Sequence, residues 1–218
     1  MWIAPARSVS GLRLGAVFIT FEGGDGAGKT TQVRMIVQWL KAQGKQVIQT
    51  FEPGGTNLGK QLREMILFGE DISPRTEALL YAADRSHHVH TVVRPALEAG
   101  TIVVSDRYLD SSVAYQGQGR QLGVERVEDL NLWAADGLWP DVTFLLDLDP
   151  GEIRQRINRE MDRVEKAGHD FHTRTRQAFL ARAQAHPDRF IVIDAADSVE
   201  SVHHQVRTII GQRLGMTS

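Results

Sequence analysis

Gly23-Gly24-Asp25-Gly26-Ala27-Gly28-Lys29-Thr30 decides the fold, because of what stands on either side of it. An apolar, β-branched run from Val17 to Phe21 precedes it. After it, Val33, Ile36, Val37 and Leu40 recur at i, i+3, i+4 and i+7, and Gly44 sits where such a helix should stop. A strand, a glycine-rich turn ending in Lys-Thr and a helix form the context in which the G-x-x-x-x-G-K-[ST] spacing holds phosphate. The glycines let backbone N–H groups turn inward, and the helix N-terminus adds its positive end. The cradle is expected to comprise Gly23, Gly24, Asp25, Gly26, Ala27, Gly28, Lys29, Thr30 and Thr31. Lys29 would reach the β- and γ-phosphates of ATP, and Thr30 would ligate Mg2+. By itself this motif implies only a bound nucleoside triphosphate. GTPase switches share it, although a guanine-reading Asn-Lys-x-Asp segment is absent, and a general ATPase stays open.

Working outward, Val47 with Ile48, Thr101 to Ser105, Val142 to Leu148 and Phe190 to Asp194 are short, continuous and β-branched, as strands covered on both faces should be. Leu58, Leu62, Met65 and Ile66 repeat the helical spacing, as do Val199, Val202, Val206 and Ile209. Asp149-Pro150 with Glu152, and Asp197 with Glu200, mark helix starts. Strand and helix alternating five times predicts an α/β fold: a P-loop NTPase-type doubly wound sheet of five parallel strands flanked by helices. Ligands then sit outside the carboxyl ends of the strands.

At 218 residues the chain suits one domain, residues 16–218, and 42% hydrophobic content can fill its core. Met1 to Gly15 is read as a flexible extension. The balance of 25 basic and 27 acidic residues gives no global positive field for a nucleic-acid polymer. With no cysteine, disulfides and thiolate metal sites are excluded. No run reaches the ~18 apolar residues of a membrane span, so a cytoplasmic location is the default.

Three further segments narrow the chemistry. Glu52-Pro53-Gly54-Gly55-Thr56 follows the second strand, with Arg63 one helix later. Asp106-Arg107-Tyr108 follows the third and runs into Ser111-Ser112-Val113-Ala114-Tyr115-Gln116-Gly117. An arginine-rich stretch from Arg154 to Arg163 follows the fourth and ends Asp162-Arg163-Val164-Glu165.

Together with the cradle, these segments resemble the thymidylate kinase family over nearly the whole chain from Val17. The resemblance implies transfer of a phosphoryl group from ATP to dTMP, giving dTDP. It implies that Arg107 and Arg63 clamp the acceptor phosphate, that Asp106 organises magnesium and its waters, and that Glu52 and Gln116 belong to the acceptor site. A bidentate guanidinium suits the clamp, since it neutralises charge and fixes the attacking oxygen. Tyr81 and Arg85 stand four apart and share a helix face. By resemblance Tyr81 stacks on thymine, Arg85 donates to a ring carbonyl, Ser112 reads the ring N–H, and Tyr115 crowds the sugar against a 2′-hydroxyl.

The arginine-rich stretch resembles a short mobile lid, about residues 152–168. The family places its catalytic arginine either in the cradle or in the lid. This cradle carries Asp25 and Gly26 and no arginine, so the lid arrangement is implied. Arg159 is the choice for that role, with Arg154, Arg156 and Arg163 as rivals. Asp25, Asp162 and Glu165 would assist magnesium or hold the lid arginines. Phe51 departs from the arginine that many members carry before E-P-G-G-T, and could add an apolar wall beside the base. The eight histidines lack any zinc-binding H-E-x-x-H spacing and are read as packing or surface residues. The family also implies a homodimer. The competing readings are another nucleotide or deoxynucleoside kinase, and a P-loop regulatory ATPase.

Overall fold

In the computed structural model, residues 16–156 and 161–216 are described. The expected N-terminal extension, residues 1–15, and Arg159 lie outside the described residues.

The five strands are β1 (Phe18–Glu22), β2 (Val47–Phe51), β3 (Ile102–Asp106), β4 (Val142–Asp147) and β5 (Phe190–Asp194). They form one parallel sheet in the order β2-β3-β1-β4-β5. β1 is central, and every one of its residues is buried, which is why it reads as a continuous apolar run. The order reverses direction on either side of β1, and the switch point opens beside its carboxyl end, at the phosphate-cradle sequence.

The period-2 alternation of β1 assigns its residues to two faces. Ile19 and Phe21 pack with Val33, Ile36, Val37 and Leu40 of α1 (Lys29–Ala42) and with Val202, Val206 and Ile210 of α9 (Val199–Arg213). Phe18 faces the other side, against Val89, Val93, Val103, Tyr108 and Leu109. Glu22 shares the parity of Phe18, so the last residue of the strand carries a carboxylate into the interior beneath the D-R-Y segment.

The helices on that second side are α2 (Asn57–Leu67), α3 (Pro74–His88), α4 (Arg94–Glu98), α5 (Leu109–Ser112), α6 (Val124–Ala134) and α8 (His169–Ala185), whereas α7 (Pro150–Arg156) packs its Ile153 against the α1 and α9 cluster. α3 runs through a widened π-helical turn, Val89–Val93, into α4, and α5 continues as the π-helical Val113–Gly119. Thr56 and Ser73 cap α2 and α3, each accepting from the N–H three residues on.

The expected strand bounds agree with the observed ones to within one residue, except β2, which runs on to Phe51. At α9 the cap is Ser198, whose hydroxyl accepts from Ser201 N, while Asp197 bonds the Ser201 hydroxyl instead. α8 escaped the apolar count because Thr175 and Arg182 fill two places in its buried stripe of Phe171, Ala178, Phe179 and Ala183. Among the described residues, no helix is long and apolar enough to cross a membrane.

Candidate active site

The cradle turns between β1 and α1 through three glycines at positive φ, of which Gly23 (131°) and Gly28 (91°) matter most. A Cβ on Gly23 would lie 2.3 Å from the Leu146 carbonyl oxygen, so the loop can pass over β4 only as glycine. Gly28 is the residue before α1 and supplies the left-handed turn that aims the helix N-terminus at the cradle. Thr31, half-buried, lies in the first turn of α1.

Lys29 is almost fully buried, and its Nζ donates to the carbonyl oxygens of Gly23 (3.1 Å) and Gly24 (2.7 Å). Burial and the neighbouring Arg107 push its pKa down to about 8, against the pull of Asp25 and Asp106. Thr30 Oγ1 donates to Asp106 Oδ2 at 2.5 Å, joining the cradle to the carboxyl end of β3. A hydroxyl and a carboxylate placed together beside a phosphate site are the hard oxygen donors that Mg2+ takes along with waters and substrate phosphates. Asp25, also expected at the metal, is not brought to that pair. Its Oδ1 faces Arg107 and its Oδ2 accepts from the Tyr115 hydroxyl at 3.3 Å.

Arg107 occupies left-handed backbone space, with φ at 68°. Such a conformation in a non-glycine residue needs support, and its N–H donates to Phe21 O while its carbonyl accepts from the Ser105 hydroxyl at 2.8 Å. The guanidinium then reaches back over the cradle. Nη1 donates to Gly23 O (3.1 Å) and Ser111 Oγ (2.8 Å), and Nη2 donates to Asp25 Oδ1 (2.7 Å). Burial alone would lift the Asp25 carboxyl, but Arg107 and Lys29 outweigh it and hold it well below the usual carboxylate range.

Beside this pair opens a cleft that, with the open solvent at its mouth, spans about 540 Å3. Arg63, Arg107, Tyr81, Arg85, Ser112, Glu52, Tyr115 and Gln116 all line it, with Arg107 and Tyr115 bonded to the cradle acid Asp25 and Arg85 bonded to Glu52 and Ser112. The expected acceptor residues, scattered over 65 positions of sequence from Glu52 to Gln116, thus meet around one space. Arg63 Nη1 donates to the Pro53 carbonyl at 2.9 Å. The Tyr115 ring packs between Phe171 and Phe179. Gln116 donates to Glu77 Oε1 at 2.9 Å. Phe51 does not join them: alternation along β2 sends Glu52 inward, while Phe51 is 42% exposed and is not among the residues around the cavity.

Of the lid, α7 carries Arg154 and Arg156. Arg163 is fixed on the acceptor side, where Nε donates to Ile66 O (2.9 Å) and Nη2 lies 2.8 Å from Glu77 Oε2. Asp162 and Glu165 hold the lid's own backbone. Asp162 Oδ1 accepts from Val164 N and Glu165 N, and Asp162 N donates to Glu165 Oε2.

Two buried groups at this site, Glu22 and Asp110, had no motif to announce them, and the buried partners of the expected Glu52 emerge only in the fold. Glu22 accepts from Tyr108 N (2.8 Å) and Ser111 Oγ (2.5 Å), so it holds the backbone after Arg107 and the hydroxyl that Arg107 bonds. Burial and Asp110 raise its pKa. Asp110 is enclosed by Arg182 and Arg189. Glu52 is held by Arg85 and His88, which outweigh burial and lower its pKa. The sequence signal available for Glu22 and Asp110 was a charge within an otherwise apolar strand or helix face.

Comparison with known proteins shows the family. The family model described as thymidylate kinase matches residues 21–206. The thymidylate kinase of Clavibacter sepedonicus is 55% identical over 195 residues, 88% of this chain and 92% of its own. That of Bifidobacterium longum (strain DJO10A) is 53% identical, over 87% of this chain and 94% of its own. The crystal structure of thymidylate kinase from Ehrlichia chaffeensis superimposes with a TM-score of 0.75 at 32% identity, covering 90% and 99% of the two chains. The chain belongs to the thymidylate kinase family.

Proposed function

We propose that this member of the thymidylate kinase family phosphorylates dTMP to dTDP, with ATP as co-substrate and Mg2+ held by Thr30 and Asp106. The observation that carries the reading is the cavity shared by Arg63, Tyr81, Arg85 and Arg107, opening against the phosphate cradle at Asp25. Its Arg63 and Arg107 suit a monophosphate, and its Tyr81 ring with the Arg85 guanidinium suits a nucleobase.

Phosphoryl transfer asks mainly for positioning and charge stabilisation. Lys29 leaves its loop carbonyls for the β- and γ-phosphates. Arg107 and Arg63 hold the acceptor phosphate so that one oxygen lies in line with the γ-phosphorus. That oxygen is already ionised at neutral pH and needs no strong base. When bound, magnesium supplies neutralisation of the phosphate charge beside Thr30 and Asp106. Closure of the lid over ATP excludes water, which otherwise competes as acceptor. Arg159 is assigned the arginine that reaches the transferring group; Arg163, fixed to Ile66 O and Glu77, anchors the lid to the acceptor wall. The Tyr115 ring, wedged between Phe171 and Phe179, has the rigidity to exclude a 2′-hydroxyl.

The kinase domain is assigned to residues 16–218, with a cytoplasmic location. The homodimer reading is supported by Leu58, Met65, Phe68, Leu79 and Trp133, which are exposed on or beside α2, α3 and α6, helices that pack side by side.

The test is ADP release from ATP and magnesium with dTMP, dUMP, UMP and thymidine as acceptors. Turnover strong on dTMP, weaker on dUMP and negligible on UMP supports the reading. Turnover on thymidine would move the acceptor site to nucleosides and remove the clamp from Arg107.

A further inference from the structure

His88 is fully buried, and both of its ring nitrogens are engaged. Nε2 lies 2.5 Å from Thr50 Oγ1, and Nδ1 lies 2.8 Å from Glu52 Oε1. The other oxygen, Glu52 Oε2, accepts from Arg85 Nε at 2.9 Å and lies 2.8 Å from Nη2. Arg85 Nη1 donates to Ser112 Oγ at 3.0 Å and to Asn131 Oδ1. A guanidinium has five N–H bonds: Nε and Nη1 use three in hydrogen bonds, and Nη2, in ion-pair contact with Glu52, keeps an N–H for a ligand in the cavity that Arg85 lines.

We propose that His88 is a positioning residue for recognition of the acceptor base: its ring orients Glu52, and Glu52 fixes the Arg85 guanidinium so that one N–H faces the base. The proposal rests on the reading of Arg85 as the base-reading donor. A carboxylate held through one oxygen can still turn about its terminal torsion, which has only a broad, shallow preference. The His88 bond to the second oxygen removes that freedom. Side-chain exposure is 2% for Arg85, 2% for Glu52 and 0% for His88, so water cannot replace a missing partner and each bond acts at low dielectric.

The E-P-G-G-T turn closes directly over the ring. A Cβ on Gly55 would approach His88 Nε2 to 2.9 Å, which gives the second glycine of that motif a structural reason. The Glu52 carboxylate, which can only accept, sets the tautomer: the ring proton sits on Nδ1 and points at Glu52, and Nε2 accepts from the Thr50 hydroxyl. The side chain thereby carries direction from β2 across α3 to the cavity.

The experiment compares His88→Asn with His88→Gln, with Thr50→Val and Arg85→Ala beside them. KM and kcat for dTMP, KM for ATP and Tm are measured for each. An Asn amide sits near the Nδ1 place and keeps a donor to Glu52, whereas a Gln amide reaches toward the Nε2 place and does not. His88→Gln is expected to raise KM for dTMP about tenfold, the scale of one lost hydrogen bond, with KM for ATP unchanged. His88→Asn should recover most of that loss. Equal effects of Asn and Gln, or a rise of both KM values together with a fall in Tm, would show packing alone and overturn the proposal. If His88→Gln does not fold, Thr50→Val decides: an unchanged KM for dTMP overturns the proposal, and a rise of a few fold supports it. Arg85→Ala separates the two layers. If it leaves KM for dTMP unchanged, the base-site reading fails and the proposal with it. If it raises KM while His88→Gln does not, only the relay through Glu52 fails.

Discussion

Arg107 Nη2 donates to Asp25 Oδ1 at 2.7 Å, so the cation assigned to the acceptor phosphate is ion-paired with the acid of the phosphate cradle. The two substrate sites are joined through this pair, because Asp25 belongs to one loop and Arg107 to the next strand end. A phosphate arriving at Arg107 meets a guanidinium already aimed and desolvated. Arg107→Lys keeps the charge but loses the planar fork that serves Gly23, Ser111 and Asp25 together. We expect kcat/KM for dTMP to fall about 100- to 1,000-fold, on the scale of losing one preorganised charge-stabilising donor. Steady-state kinetics with dTMP varied at saturating ATP checks this.

ATP binding should take up a proton at alkaline pH. In the protein alone, burial and Arg107 disfavour the Lys29 ammonium and bring its pKa from 10.5 down to about 8. A triphosphate facing the same nitrogen favours the ammonium and raises the pKa again. Between those limits the free protein has lost a proton that the complex holds, so affinity falls as pH rises from 8 while proton uptake grows. Titration calorimetry near pH 8.5 in two buffers of different ionisation enthalpy should give different apparent enthalpies, and the difference should nearly vanish at about pH 6.5.

Tyr115→Phe should leave the preference for dTMP over UMP intact. The hydroxyl bonds Asp25 and Arg107, both at 3.3 Å, whereas the ring is the part wedged against Phe171 and Phe179. Loss of these long bonds should lower kcat/KM on dTMP about two- to fivefold. A rise in UMP turnover would place the selectivity in the hydroxyl instead.

Asp110→Ala should cost about 3–5 kcal/mol of stability, the scale for removing one partner of a buried ion pair. Asp110 is fully buried and accepts from Arg182 Nε and from both terminal nitrogens of Arg189. Those arginines outweigh burial and hold its pKa below 3.8. Its contribution is therefore present above that ordinary value and is lost as pH falls through the depressed one. Urea unfolding at neutral pH should show the full loss, and the gap between variant and wild type should narrow in acid.

Met65→Glu combined with Trp133→Glu should dissociate the proposed dimer with little change in monomer stability. The two side chains are 56% and 71% exposed, so no core contact is broken. Sedimentation velocity separates the species, and an unchanged sedimentation coefficient would move the interface to another face.

The cradle, the five strands and the alternation of sheet and helix were legible because each is a local pattern. A glycine-rich turn between an apolar run and an amphipathic one is complete within 25 residues, and a buried parallel strand announces itself by continuous apolar sequence. α8 was not legible because Thr175 and Arg182 occupy buried places in its stripe, Thr175 bonded to the helix's own Phe171 carbonyl and Arg182 to Asp110 and Glu128 elsewhere in the chain. The same cause hid Glu22, whose partners Tyr108 and Ser111 are nearly ninety positions away.

The residues that meet around the cavity could be named from the sequence, since Arg63, Tyr81, Arg85 and Arg107 stand in recognisable motifs. What each does depends on neighbours that only folding supplies. Asp25, adjacent to the cradle glycines and expected at the metal, is turned onto Arg107 and Tyr115. Phe51 is sent outward by the parity of β2, and His88, one of eight unremarkable histidines, is placed behind Glu52 and Arg85. Sequence alone determined the fold and its phosphate chemistry, because backbone conformation and hydrophobic period are set within a few residues. Tertiary structure alone decided which charge faces which, because a guanidinium or carboxylate is committed by bonds to atoms brought close through the packing of separate elements.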